Sequence, residues 1–236
     1  MSLVFLHGWG MRPGIWQGLQ RALGQECQAP VLHAPTGSLN DWGDAVADTL
    51  PHAAVLIAWS LGAMLALNIA ARHPQRVRAM VLIAATPSFI KREDWTHGLD
   101  AETVRAFRDG FLRNPTRTQE RFVALQAFGD VQRHAVTEAL RAQLEDPVEH
   151  AAALGHGLRL LEESDLRVQQ LPAVSLPCLL VHGAQDALIP ASASSWLGQR
   201  WPGSETLLID DAGHAPFLSA PQRVAEGIQR FLEARA

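Results

Sequence analysis

The sequence predicts an α/β fold in which parallel strands alternate with helices, and two features carry that prediction. Along most of the 236 residues, short apolar runs are separated by amphipathic stretches of helical period. The runs are apolar at consecutive positions, as is typical of strands buried on both faces of a parallel sheet. One long block without any strand-like run interrupts the alternation. We therefore expect about six mainly parallel strands, with flanking helices and an inserted helical block.

The first 86 residues contain four apolar runs of strand length with three amphipathic stretches between them. The clearest run is AAVLIA, which passes directly into the helix-forming stretch LGAMLALNIAARH. The helices predicted here are 14–23, 41–50 and 61–73. The strands predicted here are 3–6, 29–34, 53–58 and 77–86. Strands and helices that alternate in this way form βαβ units, whose strands run parallel.

The alternation returns after residue 170, with strands predicted at 178–183 and 206–210 and helices at about 191–200 and 221–234. The block before it contains only helical patterns. Its breaks at Asn114–Pro115, Gly129 and Asp146–Pro147 predict four helices. Such a block between parallel strands is most simply a lid over the carboxyl edge of the sheet. The predicted domains are a core of residues 1–86 and 171–236 and a four-helix lid of residues 87–170.

Charge and composition argue against several classes of function. The net charge of −4 gives no electrostatic reason to expect nucleic acid or an anionic membrane as a partner. Two cysteines, Cys27 and Cys178, are too few for a disulfide framework and match no zinc-binding spacing. The amino terminus lacks the features of a secretion signal, and no run approaches the ~20 apolar residues of a membrane span. We expect a cytoplasmic monomer that uses no metal or other cofactor.

Ser60 is the predicted nucleophile, in the stretch AWSLG. It lies where a strand ends and a helix begins, so the first N–H groups of the helix can face a developing negative charge. The usual pattern is G-x-S-x-G. Gly62 matches its second glycine, whereas Ala58 replaces the first and adds one methyl group at a crowded turn. A serine in an ordinary strand-to-helix connection is the alternative, and the partners of Ser60 decide between the two.

His214 and Asp186 are the predicted partners of Ser60. The stretch DDAGHAPF puts His214 between the last strand and the last helix, and VHGAQDALIP puts Asp186 just after the preceding strand. The chain order Ser, Asp, His is that of the α/β-hydrolase triad, in which the acid orients the base. Asp210 and Asp211 lie too close in sequence to His214 to reach its far nitrogen easily. We therefore expect Asp186 to be the acid.

Two backbone N–H groups are predicted to form an oxyanion hole. One belongs to Leu61, directly after the nucleophile, and the other to Trp9 in the loop HGWGMRPG after the first strand. The glycines let this loop turn back over the site, and the Trp9 ring is expected to wall the pocket. One such donor contributes roughly 10²–10³ in kcat. His7 and His182 each precede a glycine after a strand, and we expect both to bond nearby backbone.

An ordered set of motifs extends over nearly the whole chain: LHGWG, AWSLGAMLALNIAARHPQRV, RFVALQ, GLRLLEESDLR, VHGAQDALIP and AGHAPF. Together they resemble the pimeloyl-acyl carrier protein methyl ester carboxylesterases of biotin synthesis, which are α/β-hydrolases. The triad motifs alone indicate only a serine hydrolase, whereas HGWG, WSLG, RFVALQ and HAPF together are more specific. Because the chain begins with SLVFLHGWG, we expect the antiparallel amino-terminal hairpin common in this fold to be absent.

The resemblance implies two sets of binding residues. Arg117 and Arg121 match arginines on lid helices that receive the acidic carrier protein. Independently of the resemblance, residues 105–133 carry six arginines against three acidic residues. A solvated helix face with ordinary ion pairs is the alternative explanation of this excess. The residues that match the family's substrate contacts are Trp9, Ser60, Leu61, Phe122, Val123, Ala124, Leu125, Gln126 and His214.

These observations favour a serine carboxylesterase that cleaves the methyl ester of a carrier-protein-bound pimeloyl chain through an acyl-enzyme. Acyl carrier protein is accordingly the expected partner. Two other functions stay open: hydrolysis of a small ester or a C–C bond by the same fold, and non-catalytic ligand recognition on the same scaffold. Dehalogenases of this fold use aspartate as nucleophile, so Ser60 argues against that reaction. A complete triad with both oxyanion elements argues against a receptor.

Overall fold

A computed structural model describes residues 2–25 and 27–235 of the chain. Its strands are β1 (Leu3–Leu6), β2 (Cys27–Gln28), β3 (Ala54–Trp59), β4 (Val77–Ile83), β5 (Cys178–Gly183) and β6 (Glu205–Ile209). They form one six-stranded sheet in the order β2-β1-β3-β4-β5-β6. Every pair of neighbours runs parallel. This sheet confirms the predicted α/β class with six mainly parallel strands.

Helices cover both faces of the sheet, because successive residues of each strand point to opposite sides. In β3, Ala54, Leu56 and Ala58 pack into one buried cluster, and the residues between them pack into the other. The first cluster includes side chains from α2 (Leu39–Thr49), α3 (Leu61–Arg72) and α8 (Ser192–Arg200). The second includes side chains from α1 (Gln17–Leu23), α9 (Pro216–Ser219) and α10 (Pro221–Glu233). The consecutive apolar positions read from the sequence therefore fill two cores.

The segment 29–34, which we predicted to be a strand, is not one. The strand beside β1 is instead the two-residue β2 that precedes this segment. Pro30 has no N–H to donate to a strand ladder. Farther along, Leu32 donates its N–H to the Nε2 atom of His7, at 3.2 Å. The apolar run thus uses its backbone to contact a buried side chain, and the prediction of a strand there was wrong.

Four α-helices lie between β4 and β5: α4 (Ala101–Arg113), α5 (Pro115–Gln126), α6 (Arg133–Ala142) and α7 (Ala151–Glu163). At the first break, the Asn114 side chain accepts the N–H of Arg117 at 3.1 Å and caps α5. Helix α4 packs against α5 and α7, and Arg108 pairs with Glu162 across the second contact. Within the described residues, no helix is both long and apolar enough to cross a membrane. That these four helices act as a lid stays a prediction.

Candidate active site

Ser60 occupies a strained turn between β3 and α3. Its backbone angles are φ 57° and ψ −119°, a region that non-glycine residues rarely adopt. Two residues later, a Cβ atom at Gly62 would lie 2.3 Å from the carbonyl oxygen of Leu6. Only glycine fits there without displacing the first strand. Ala58 is fully buried and keeps its parallel pairing with β1 and β4, so its methyl group is accommodated.

Three side chains from three separate loops converge at the carboxyl edge of the sheet. The Oγ atom of Ser60 lies 3.0 Å from Nε2 of His214, and Nδ1 of His214 lies 2.8 Å from Oδ2 of Asp186. Asp211 is instead paired with Arg223 at 2.9 Å on the surface. The structure thus brings together the three residues chosen from the sequence. Such an arrangement allows the serine proton to pass to an imidazole that a carboxylate orients.

The carboxylate of Asp186 is buried but well supplied with hydrogen-bond donors. Its Oδ1 atom accepts the N–H groups of Leu188 at 2.9 Å and Ile189 at 3.0 Å. Burial alone would raise the pKa of Asp186, but the neighbouring His214 and His182 together hold that pKa below its ordinary value. The acid is therefore ionised at neutral pH, as the orientation of an imidazole requires.

Comparison with known proteins places the chain in a family. The model of the α/β-hydrolase fold matches residues 28–221. A pimeloyl-[acyl-carrier protein] methyl ester esterase from Aromatoleum aromaticum is 44% identical over 95% of both chains. A protein of the same name from Nitrosomonas europaea is 37% identical over 94% of this chain and 92% of its own. The chain belongs to this esterase family of α/β-hydrolases.

Solved structures agree with this esterase in fold. A bromoperoxidase from Bacillus anthracis superposes with a TM-score of 0.86 at 19% identity, covering 98% of this chain and 91% of its own. An esterase from Exiguobacterium antarcticum superposes with a TM-score of 0.80 at 18% identity, covering 99% and 92% of the two chains. At such low identity these likenesses establish the α/β-hydrolase fold alone.

The backbone around the base of this esterase is held by hydrogen bonds that the sequence did not predict. The carbonyl of His214 accepts the indole N–H of Trp59 at 2.8 Å, and its own N–H donates to the carbonyl of Gln126 at 3.3 Å. The N–H of Gly213 donates to the buried carboxylate of Asp130 at 2.9 Å. Two of these three partners lie at the carboxyl end of α5 or just after it.

The two N–H groups predicted for the oxyanion hole lie in the expected elements. Leu61 is the first residue of α3, and Trp9 lies in the loop after β1. In the part of the chain that the structure describes, neither N–H donates a hydrogen bond to protein. The Trp9 indole donates to the carbonyl of Leu154 on α7 at 2.8 Å. Trp9 thereby connects the loop after β1 to the inserted helices.

An apolar cavity lies between the inserted helices and the core. Of the five residues matched at 122–126, Phe122 and Leu125 line it. Val123 is fully buried and packs in the second core cluster, and Ala124 is exposed. Gln126 is buried, and its Nε2 atom has no hydrogen-bond partner in the described residues. The other residues that line the cavity are Phe89, Leu99, Thr103, Val104, Phe107, Leu158, Leu161 and Leu188.

The two arginines that the resemblance assigns to carrier-protein contact are solvent-exposed on α5. Among the ion pairs found within residues 2–25 and 27–235, none involves the side chain of Arg117 or Arg121. Arg108 on the neighbouring α4, by contrast, forms an ion pair with Glu162. Leu125, at the rim of the apolar cavity, lies one helical turn after Arg121 and is 44% exposed. The α5 helix thus carries unpaired positive charge one turn from an exposed residue that lines the cavity.

The two histidines of the H-G pairs differ in their surroundings. His7 bonds backbone as expected, accepting the N–H of Leu32 at Nε2 and contacting the carbonyl of Gly8 through Nδ1 at 3.0 Å. His182 also contacts backbone, at the carbonyl of Ile189 (2.8 Å), but its Nε2 atom lies 3.2 Å from the carboxylate of Asp186 as well. The sequence did not reveal this second contact.

Proposed function

We propose that this esterase hydrolyses the methyl ester of pimeloyl-acyl carrier protein in biotin synthesis, by a Ser-His-Asp mechanism with an acyl-enzyme. The observation that carries the proposal is the array of Ser60, His214 and Asp186, with 3.0 Å and 2.8 Å between successive polar atoms. The substrate follows from the names of relatives that are up to 44% identical over nearly the full chain.

In the first half-reaction, the Oγ atom of Ser60 bonds to the ester carbonyl carbon while its proton passes to Nε2 of His214. The N–H groups of Leu61 and Trp9 stabilise the resulting oxyanion. Collapse of this intermediate breaks the bond to the methoxy oxygen, and His214 returns the proton to it, so that methanol leaves. Asp186 keeps the imidazole oriented and stabilises its charged form.

In the second half-reaction, water attacks the acyl-enzyme. His214 takes a proton from this water and gives it to Oγ of Ser60 as the tetrahedral intermediate collapses, so that the bond to Ser60 breaks and a free carboxyl group is released. The pimeloyl chain remains attached to its carrier protein, now with a carboxylate at its far end. No group beyond the triad, the two N–H donors and water is needed to balance the reaction.

The apolar cavity supports an extended methylene chain as the acyl group. Its lining is aliphatic and aromatic apart from Thr103. We propose that helices α4–α7 act as a lid that excludes water from this chain. The Nε2 atom of Gln126, which has no hydrogen-bond partner among the described residues, is proposed to donate to a polar group of the substrate, because buried amides are normally hydrogen-bonded.

Charge supports a carrier protein as the bearer of the acyl group. Arg117 and Arg121 are one helical turn apart, exposed, and without acidic partners among the described residues. An acidic partner that docks there would lie one helical turn from Leu125, which lines the cavity. A small free ester would have no use for these charges, and hydrolysis of such esters is the second reaction that the triad supports.

The direct test incubates the purified enzyme with methyl-pimeloyl-acyl carrier protein and follows methanol release together with the mass of the carrier protein. We expect demethylation by the wild type and by Asp211→Ala, and none by Ser60→Ala or Asp186→Ala. Circular dichroism confirms that each variant is folded. If the wild type cleaves short p-nitrophenyl esters but leaves the carrier-protein ester intact, the substrate is a free ester and the proposal fails.

A further inference from the structure

A second histidine lies against the acid of the triad. His182, in β5, is fully buried. Its Nε2 atom is 3.2 Å from Oδ2 of Asp186 and 2.8 Å from the carbonyl oxygen of Ile189. The same Oδ2 atom accepts the hydrogen bond from Nδ1 of His214. Two imidazoles thus meet at one carboxylate oxygen, and only one of them reaches Ser60.

The hydrogen-bond partners of His182 determine which of its nitrogens carries the proton. Both neighbours of Nε2 are acceptors, a carboxylate and a carbonyl, so Nε2 must be protonated and donate. Its Nδ1 atom lies 2.6 Å from Oγ of Ser194, a hydroxyl that can donate to it. Ser194 lies on α8 and is 1% exposed. The ring is therefore held at both nitrogens and cannot flip without losing hydrogen bonds.

This second donor changes the environment of Asp186. Its Oδ1 atom is fixed by two backbone N–H groups. Among the described residues, its Oδ2 atom accepts the hydrogen bond of His214 and lies 3.2 Å from Nε2 of His182, whose N–H also faces the carbonyl of Ile189. If the N–H of His182 were removed, His214 would be the remaining contact of Oδ2 among these residues. A buried carboxylate with one fewer donor is less well fixed in position. Its negative charge then interacts mainly with the remaining partner.

We propose that His182, oriented by Ser194, is a positioning residue that fixes the Asp186 carboxylate and shares its negative charge, so that His214 stays aligned with Ser60. Its action on the reaction passes through Asp186. This inference rests on the proposed esterase mechanism. The alternative is that His182 only fills space in the core beneath the loop.

The test uses substitutions that separate the N–H of His182 from its volume. His182→Gln retains an N–H near the position of Nε2, whereas His182→Leu retains similar volume without it. Ser194→Ala removes the hydroxyl that orients the ring. Ser195→Ala is the matched control, because the neighbouring hydroxyl on α8 bonds the carbonyl of Ala191 and does not contact His182.

Two readouts are measured on the folded proteins: kcat and KM for a short p-nitrophenyl ester, and the low-field proton resonance of the His214–Asp186 hydrogen bond. For His182→Leu we expect kcat to fall about 10-fold or more with KM nearly unchanged, because the carboxylate loses the N–H that faces it at 3.2 Å. Its resonance should shift or broaden. His182→Gln should retain most activity with an unshifted resonance, Ser194→Ala should lose a few-fold in kcat, and Ser195→Ala should match the wild type.

Wild-type kcat and an unshifted resonance in His182→Leu would overturn the inference. An equal loss of kcat in His182→Gln and His182→Leu with an unchanged resonance would also overturn the inference, because the volume of the side chain would then explain the loss. If His182→Leu does not fold, Ser194→Ala against Ser195→Ala decides the question by the same two readouts. A wild type without esterase activity would refute the proposed function, and the resonance would still report whether His182 supports the hydrogen bond.

Discussion

Gly62 allows the sharpest prediction about the turn that presents Ser60. The Cα atom of Gly62 faces the end of β1, so a Cβ atom there would lie 2.3 Å from the carbonyl oxygen of Leu6 and 2.6 Å from that of His7. Both obstacles are backbone atoms of a buried segment, which cannot rotate away as a side chain can. Replacement of Gly62 by alanine must therefore move α3 and β1 apart.

The size of this effect follows from the overlap. A distance of 2.3 Å is about 1 Å short of ordinary van der Waals contact. Overpacking of this kind costs about 1–3 kcal/mol, and a rigid obstacle favours the upper end. For a domain of this size the melting temperature falls by roughly 2–4 °C per kcal/mol, so we expect a loss of roughly 6–12 °C. A displacement of about 1 Å at the nucleophile lowers kcat by about 100-fold.

The assay compares Gly62→Ala with Ala58→Gly by thermal unfolding and by turnover of a p-nitrophenyl ester. Ala58 occupies the other small position of the elbow, and its methyl group is already accommodated in β3. Ala58→Gly should therefore change kcat by no more than a few-fold and the free energy of unfolding by about 1 kcal/mol. If Gly62→Ala retained the wild-type melting temperature and kcat, the close approach of α3 to β1 would not constrain the elbow, and the reasoning would be refuted.

Three further predictions concern charge and positioning. Replacing Arg117 and Arg121 together by alanine should lower kcat/KM for the carrier-protein ester about 10-fold at low salt and leave hydrolysis of a free short ester unaffected. An equal loss of kcat/KM on the two substrates would show that the arginines have a structural role instead. Asp130→Ala should lower kcat about 10-fold with KM retained, because the N–H of Gly213 loses its acceptor; an unchanged kcat in a folded variant contradicts this. Burial lowers the pKa of His7 to about 4, so the stability due to its neutral form is complete above pH 6.5 and is lost as pH falls towards 4. His7→Gln should remove that part of the acid destabilisation, and an identical pH dependence in its urea unfolding would disprove it.

The sequence predicted the triad because its three members follow strands that end at one edge of a parallel sheet. The end of a strand can be predicted from the point where an apolar run stops. The order of Ser60, Asp186 and His214 along the chain then matches that of the α/β-hydrolase triad. The same reasoning failed at 29–34, since an apolar run does not reveal that the N–H of Leu32 is used by a side chain of another loop. The periodicity of apolar residues indicates which positions are buried. It does not indicate which hydrogen-bond partner a backbone N–H or C=O group has.

The supporting contacts of the site could not be predicted for a related reason. Trp59 and the carbonyl of His214 are separated by 155 positions, and Asp130 and Gly213 by 83. No local pattern distinguishes an aspartate that will accept a distant N–H from one that ends on the surface. His182 lies only four positions before Asp186, but their contact depends on a loop that folds back to bring the carboxylate beneath the strand end.

The end of α5 and the residues just after it contact the loop that carries His214. The N–H of His214 is bonded to Gln126, at the end of α5, and the N–H of Gly213 is bonded to Asp130, just beyond it. The N–H of Val131 in turn donates to the carbonyl of Asp211 at 3.0 Å. The loop that carries His214 is thus fixed by the end of α5 and the residues just after it. The exposed Arg117 and Arg121 lie on the same helix. A change in this segment should therefore alter kcat even for esters too small to touch the helices, whereas a mere cover would change only the binding of long substrates.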